Sequence, residues 1–89
     1  MTQRLPLDAL LAVERVLAYR ADVIGEIPGG EVWPSRTPDH HVRKALGHVM
    51  EWQSGINTDH ETGEDPLAHA AARLLFALAL RERRKRGHP

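Results

Sequence analysis

Apolar residues recur along this chain with the period of a helix rather than that of a strand. Leu10, Val13, Leu17, Ala21 and Ile24 follow one another at helical spacing, which predicts a first helix of about five turns with one apolar face. Pro6 suits its first turn and Gly25 its end. Thr37, Pro38 and Asp39 then offer a capping hydroxyl, a ring that needs no N–H in the first turn, and an acid beside the positive end of the helix dipole. They predict a second helix whose stripe is Val42, Ala45, Leu46, Val49, Met50 and Trp52, stopped at Gly55. Asp65 and Pro66 open a third, predicted to run to about Arg84 with Leu67, Ala71, Leu74, Leu75 and Leu78 on one face. Ala68, Ala70, Ala72, Phe76, Ala77, Ala79 and Leu80 leave this helix almost no polar side before Arg81. A helix apolar all round must be covered all round, and two partner helices are too few, so a second copy of the chain is expected to cover the remainder.

Between the first two helices, residues 25–38 hold three prolines and three glycines in fourteen positions, too many for a helix or a regular strand. A loop is expected there, with a short extended piece over Glu31 to Trp33. The reading is an all-α fold: one domain over residues 1–89, a leading helix followed by a helical hairpin, assembled as a homo-oligomer. With 89 residues, a chain buries only roughly 60 to 65% of its unfolded surface. No cysteine is present to supply a disulfide or a thiolate metal site, so association or a bound ligand is the expected supplement.

Charge divides the chain unevenly. Up to Leu80 there are seven basic residues against eleven acidic ones, and residues 81–89 hold five basic residues against one acid. A basic tail can bind nucleic acid, but cations also suit the last turns of a helix, and the second reading is preferred here. No stretch reaches the roughly 20 apolar residues of a membrane span, and the first residues lack the apolar run of a signal peptide. A soluble cytoplasmic protein with no membrane partner is expected.

Six histidines stand out in so short a chain. His40 and His41, at the start of the second helix, are expected to be solvated. His41, His48 and Glu51 share one face of that helix, with Lys44 between them. If the second and third helices pack antiparallel, the loop carrying Asp59, Glu61 and Glu64 returns near His48 and Glu51 and meets His69 one turn into the third helix. Carboxylates converging with few imidazoles would suit magnesium or manganese. No HExxH, CxxC, P-loop or GxGxxG occurs.

The stretch from Lys44 to Leu78 resembles the phage-associated dATP/dGTP diphosphohydrolase N-terminal domain family, which is similar to the small all-α nucleoside triphosphate pyrophosphohydrolases. His48, Trp52, Gly55, Asp59, Glu61, Thr62, Gly63, Leu67, Ala68, His69 and Ala70 carry the resemblance in order and spacing. Gly47, Ile56 and Arg73 depart from it, standing where the family pattern has an arginine, an acid and an asparagine. The resemblance implies a magnesium-dependent hydrolase of purine deoxynucleoside triphosphates, with manganese as the alternative ion. Glu51, Asp59 and Glu61 would hold the metal, His48 and Glu61 would act in catalysis, and His69, Arg73 and Trp52 would bind substrate. Arg73 adds positive charge where the family has none, which favours a phosphate clamp over a metal ligand. Two alternatives stand beside the enzyme: a non-catalytic module that holds a nucleotide or another phosphorylated small molecule, and a structural helical oligomer.

Overall fold

The computed structural model describes residues 4–19 and 33–87, and all structural statements below concern those residues. They form three α-helices, α1 (Leu7–Tyr19), α2 (Pro38–Gln53) and α3 (Pro66–Lys85), with a single 3-10 turn at Trp33–Ser35 and no strand. The protein is all-α, as the apolar periodicity predicts.

Local chemistry fixes the helix ends. Thr37 accepts a hydrogen bond on its hydroxyl from the His40 N–H at 3.1 Å, which uses one of the amides that a helix start leaves unpaired, and Pro38 follows it. Asp65 does the same for the Leu67 N–H at 2.8 Å, again with proline next. At its far end α2 closes through Ser54 into Gly55, whose φ of 98° a side chain with a Cβ would resist. The last turn of α3 carries Arg83, Arg84 and Lys85 at the negative end of its dipole.

α3 is the central element. It packs along α2 and, over a shorter length, against α1, while α1 and α2 do not contact one another. α2 and α3 run antiparallel: His41, early in α2, meets Phe76 at the middle of α3, whereas His48, later in α2, meets His69 near the start of α3. The helical hairpin is therefore present.

The faces differ from the expected ones. On α1 the buried residues are Val13 and Val16, and Leu10 is exposed. Ala21, Ile24 and Gly25 lie outside the described residues, as does most of the loop assigned to 25–38. On α2 the buried positions are His41 and Ala45, while Val42, Leu46, Met50 and Trp52 are exposed. On α3 the small residues Ala68, Ala70, Ala72 and Ala77 face inward with Phe76, and Leu67, Leu74, Leu75 and Leu78 face out. Close approach explains this inversion: α3 meets α1 at a core of Val13, Val16, Ala68 and Ala72, where short side chains let the backbones come together. Leucines at those points would hold the helices apart.

His41 corrects the expectation of a solvated pair at the start of α2. It has no accessible surface at all. Its Nε2 donates to the Trp33 carbonyl at 3.0 Å and its Nδ1 accepts from Arg73 Nη1 at 3.2 Å, so the tautomer with the proton on Nε2 satisfies both. Its ring meets Phe76 edge-on with centroids 5.3 Å apart, and Phe76 in turn stacks on Trp33 at 4.6 Å. All of these partners are distant in sequence or lie in a different element, which local patterning does not reveal.

Candidate functional site

The loop between α2 and α3 is organised by a single carboxylate. Asp59 is buried, and its Oδ1 accepts from the backbone N–H groups of Glu61 and Thr62 at 2.8 and 3.0 Å. Its own N–H donates to the Glu64 carbonyl at 2.7 Å, and its carbonyl accepts from Gly63 N–H at 2.8 Å. Gly63 completes this tight turn with a φ of 75°, a conformation natural to glycine. Glu64, at the end of the turn, accepts from Arg15 of α1 at 3.0 Å, an exposed ion pair that links the loop to the leading helix.

Against this loop lie two imidazoles from different helices. His48 and His69 stack with centroids 4.8 Å apart and ring planes inclined by 27°. Glu51 accepts from His48 Nδ1 at 2.9 Å, which puts the proton on that nitrogen and leaves the Nε2 lone pair available. His69 Nε2 lies 2.7 Å from the Thr62 hydroxyl and 4.0 Å from Asp59 Oδ2. The Thr62 hydroxyl also accepts from the Glu64 N–H at 3.1 Å and lies 3.5 Å from Asp59 Oδ1, so it ties the His69 ring to the loop. One donor atom from each of His48, Asp59 and His69 lies within 4.8 Å of the others.

Electrostatics follow the burial. Desolvation works to raise the Asp59 carboxyl, but the amides of Thr62 and Glu61, together with the His69 ring, prevail and hold it below the usual range. Burial lowers the His69 imidazole; Asp59 pulls it up, while His48 and Arg73 press it down, and the net shift favours the neutral ring. Neutral imidazole is the form that offers a lone pair.

A cleft of about 120 Å³ opens beside this group. Its polar lining is His48, Glu61, Thr62, His69 and Arg73 with Tyr19 of α1, and its apolar lining is Val16 of α1 with Ala72 and Phe76 of α3. Small-molecule pockets usually run to about 300–1,000 Å³, so this one is the size for an ion with a phosphate group, not for a whole nucleotide.

The residues expected at the site from the sequence are thus only partly gathered. His48, Glu61, His69 and Arg73 line the cleft, and Asp59 stands behind it with one oxygen facing His69. Glu51 is turned to His48, and Glu61 is exposed, so these two acids are not drawn together with Asp59. Trp52 is exposed and does not line the cleft. Trp33 is engaged by Phe76 and by Arg83, whose guanidinium carbon lies 4.8 Å from its ring centre. Thr62 and Tyr19 line the cleft, and sequence reasoning left both without a role; only Thr62 carries a signal that could have found it. The position of Thr62 three residues after Asp59, whose side chain caps its own loop, is that signal. A magnesium ion would find one carboxylate at the point of convergence, whereas two imidazoles and a carboxylate match the donors preferred by transition ions.

These features define an all-α domain with a small, polar, phosphate-sized site between an antiparallel helix pair and a capped loop. The family model described as dATP/dGTP diphosphohydrolase, N-terminal, matches residues 2–88, and the chain belongs to that family. No curated protein and no solved structure matches it. None of the described helices is long and apolar enough to cross a membrane.

Proposed function

We propose that this domain handles purine deoxynucleoside triphosphates and hydrolyses them to the monophosphate and pyrophosphate. The observation that carries the reading is the cleft in which Arg73 stands with His48, Glu61, Thr62 and His69, in a chain whose family name refers to dATP and dGTP hydrolysis. Arg73, steadied by His41, offers N–H groups to phosphate oxygens. Glu61, exposed at the cleft, is the base that takes a proton from the attacking water as its oxygen bonds to phosphorus and pyrophosphate leaves. A divalent ion bound near Asp59 would neutralise phosphate charge and lower the pKa of a bound water. The cleft takes the phosphates, and the base and sugar lie outside it.

Pyrophosphate release from dATP and dGTP, measured with added divalent ions, tests this reading. Arg73→Ala should weaken nucleotide binding about ten- to a hundredfold, the scale of one charge-assisted hydrogen bond. Glu61→Gln should lower turnover while leaving binding in place. Failure to bind any purine deoxynucleotide would overturn the proposal. A second reading, nucleotide holding without turnover, is favoured by the commitment of Glu51 to His48, which leaves Asp59 as the carboxylate within the His48–Asp59–His69 group. Calorimetric binding of dGTP with no pyrophosphate released would support it.

A further inference from the structure

We infer that His48, Asp59 and His69 form a binding site for a first-row transition-metal dication of the zinc type, in preference to magnesium. The three residues reach one point from three separate elements, with donor atoms within 4.8 Å of each other. Two aromatic nitrogens and one carboxylate oxygen are the ligands such ions take, while magnesium seeks oxygen.

Two of the ligands are also held from behind, as ligands at built metal sites are. Glu51 fixes the tautomer of His48 so that Nε2 is the free lone pair. The amides of Glu61 and Thr62 occupy Asp59 Oδ1, which leaves Oδ2 on the side of His69. The Thr62 hydroxyl sits 2.7 Å from His69 Nε2, a contact that an ion would replace. Zinc bonded at about 2.0–2.1 Å needs tetrahedral donors roughly 3.4 Å apart. The side chains must therefore close in by about an ångström or more, a movement that rotations about their χ angles supply. The adjoining cleft leaves the remaining coordination positions open to water or phosphate.

The inference rests on the proposed function only in sharing its cleft, and metal binding is measured without nucleotide so that the two can fail separately. The full chain, stripped of metal with a chelator, is titrated with zinc by calorimetry and with cobalt, whose visible absorption reports a low-coordinate nitrogen and oxygen site. Wild type should bind one zinc ion per chain, and a large excess of magnesium should not displace it. His48→Ala and His69→Ala should each abolish the cobalt bands, and Glu51→Gln should weaken zinc binding about ten- to a hundredfold while the chain stays folded. His40→Ala, outside the group, should change nothing. Zinc binding that survives both His48→Ala and His69→Ala, or magnesium that competes at equal concentration, would overturn the inference. Because Asp59 also holds the loop together, Asp59→Asn, which keeps an oxygen acceptor for the two amides, is the variant for that position. It should lose zinc while keeping its helical circular dichroism, and unchanged zinc affinity in it would count against the site.

Discussion

Asp59 and Glu61 stand two positions apart in the same loop, and the family resemblance places both among the expected metal ligands. The structure separates them. Asp59 is buried and holds two backbone amides, whereas Glu61 is exposed and is held only through its own N–H. Replacing Asp59 by alanine leaves those amides without an acceptor and should cost about 1–3 kcal/mol, while Glu61→Ala should leave stability within about 0.5 kcal/mol. Urea denaturation of both variants checks this, and equal losses would count against Asp59 as the organiser of the loop. Acid should act in two stages on the metal-free protein. His69 is held below its ordinary value, so in the window below about pH 6.5 the unfolded state binds more protons and stability falls as pH falls. The lowered Asp59 carboxyl stabilises the fold above its ordinary value, and that contribution is lost as pH drops below about 4 and through the folded value. Melting temperature against pH should show both declines, and His69→Gln should flatten the first. His40, lowered by its slight burial and by neighbouring Arg36 and Arg73, would retain its share.

Helix α3 shows how two adjacent residues divide the work of an element. Phe76 is buried between Trp33 and His41, while Leu75 beside it is 47% exposed, in line with Leu67, Leu74 and Leu78, which are also exposed. Phe76→Glu should therefore unfold the chain itself, since a carboxylate would be buried against two rings. Leu75→Glu should leave the monomer folded and separate any self-assembled form. Circular dichroism with light scattering distinguishes the two, and a wild-type chain that stays monomeric at micromolar concentration would remove self-association as the cover for those leucines. The ends of α2 and α3 were legible in the sequence because Thr37, Asp65, Pro38, Pro66 and Gly55 act on their immediate neighbours. The faces were not. Periodicity identifies which residues share a side, but the inward side of α3 was decided by how closely its neighbours approach, and there alanine serves better than leucine. The candidate site was legible in the same proportion: His48, Asp59 and His69 could be placed near one another from the hairpin and the family resemblance. Whether Glu51 and Glu61 joined them depended on side-chain partners that no spacing reveals.

For the molecule as a whole, the decisive feature is that α1 and α2 both lean on α3 and not on each other. Removing α1 from its seat would disturb a four-residue core and one exposed ion pair, and would leave the α2–α3 hairpin with its own contacts intact. Local opening of that kind costs less than global unfolding, and it should appear in native-state hydrogen exchange as a separate, earlier class of α1 amides. α1 also supplies Val16 to the cleft wall. A ligand that fills the cleft should therefore slow exchange in α1, a helix that carries none of the proposed site residues, and uniform protection of all three helices would show that the chain opens only as a unit. Exchange of that kind would make the leading helix a door hung on α3, with its hinge at the alanines and its latch at Arg15 and Glu64.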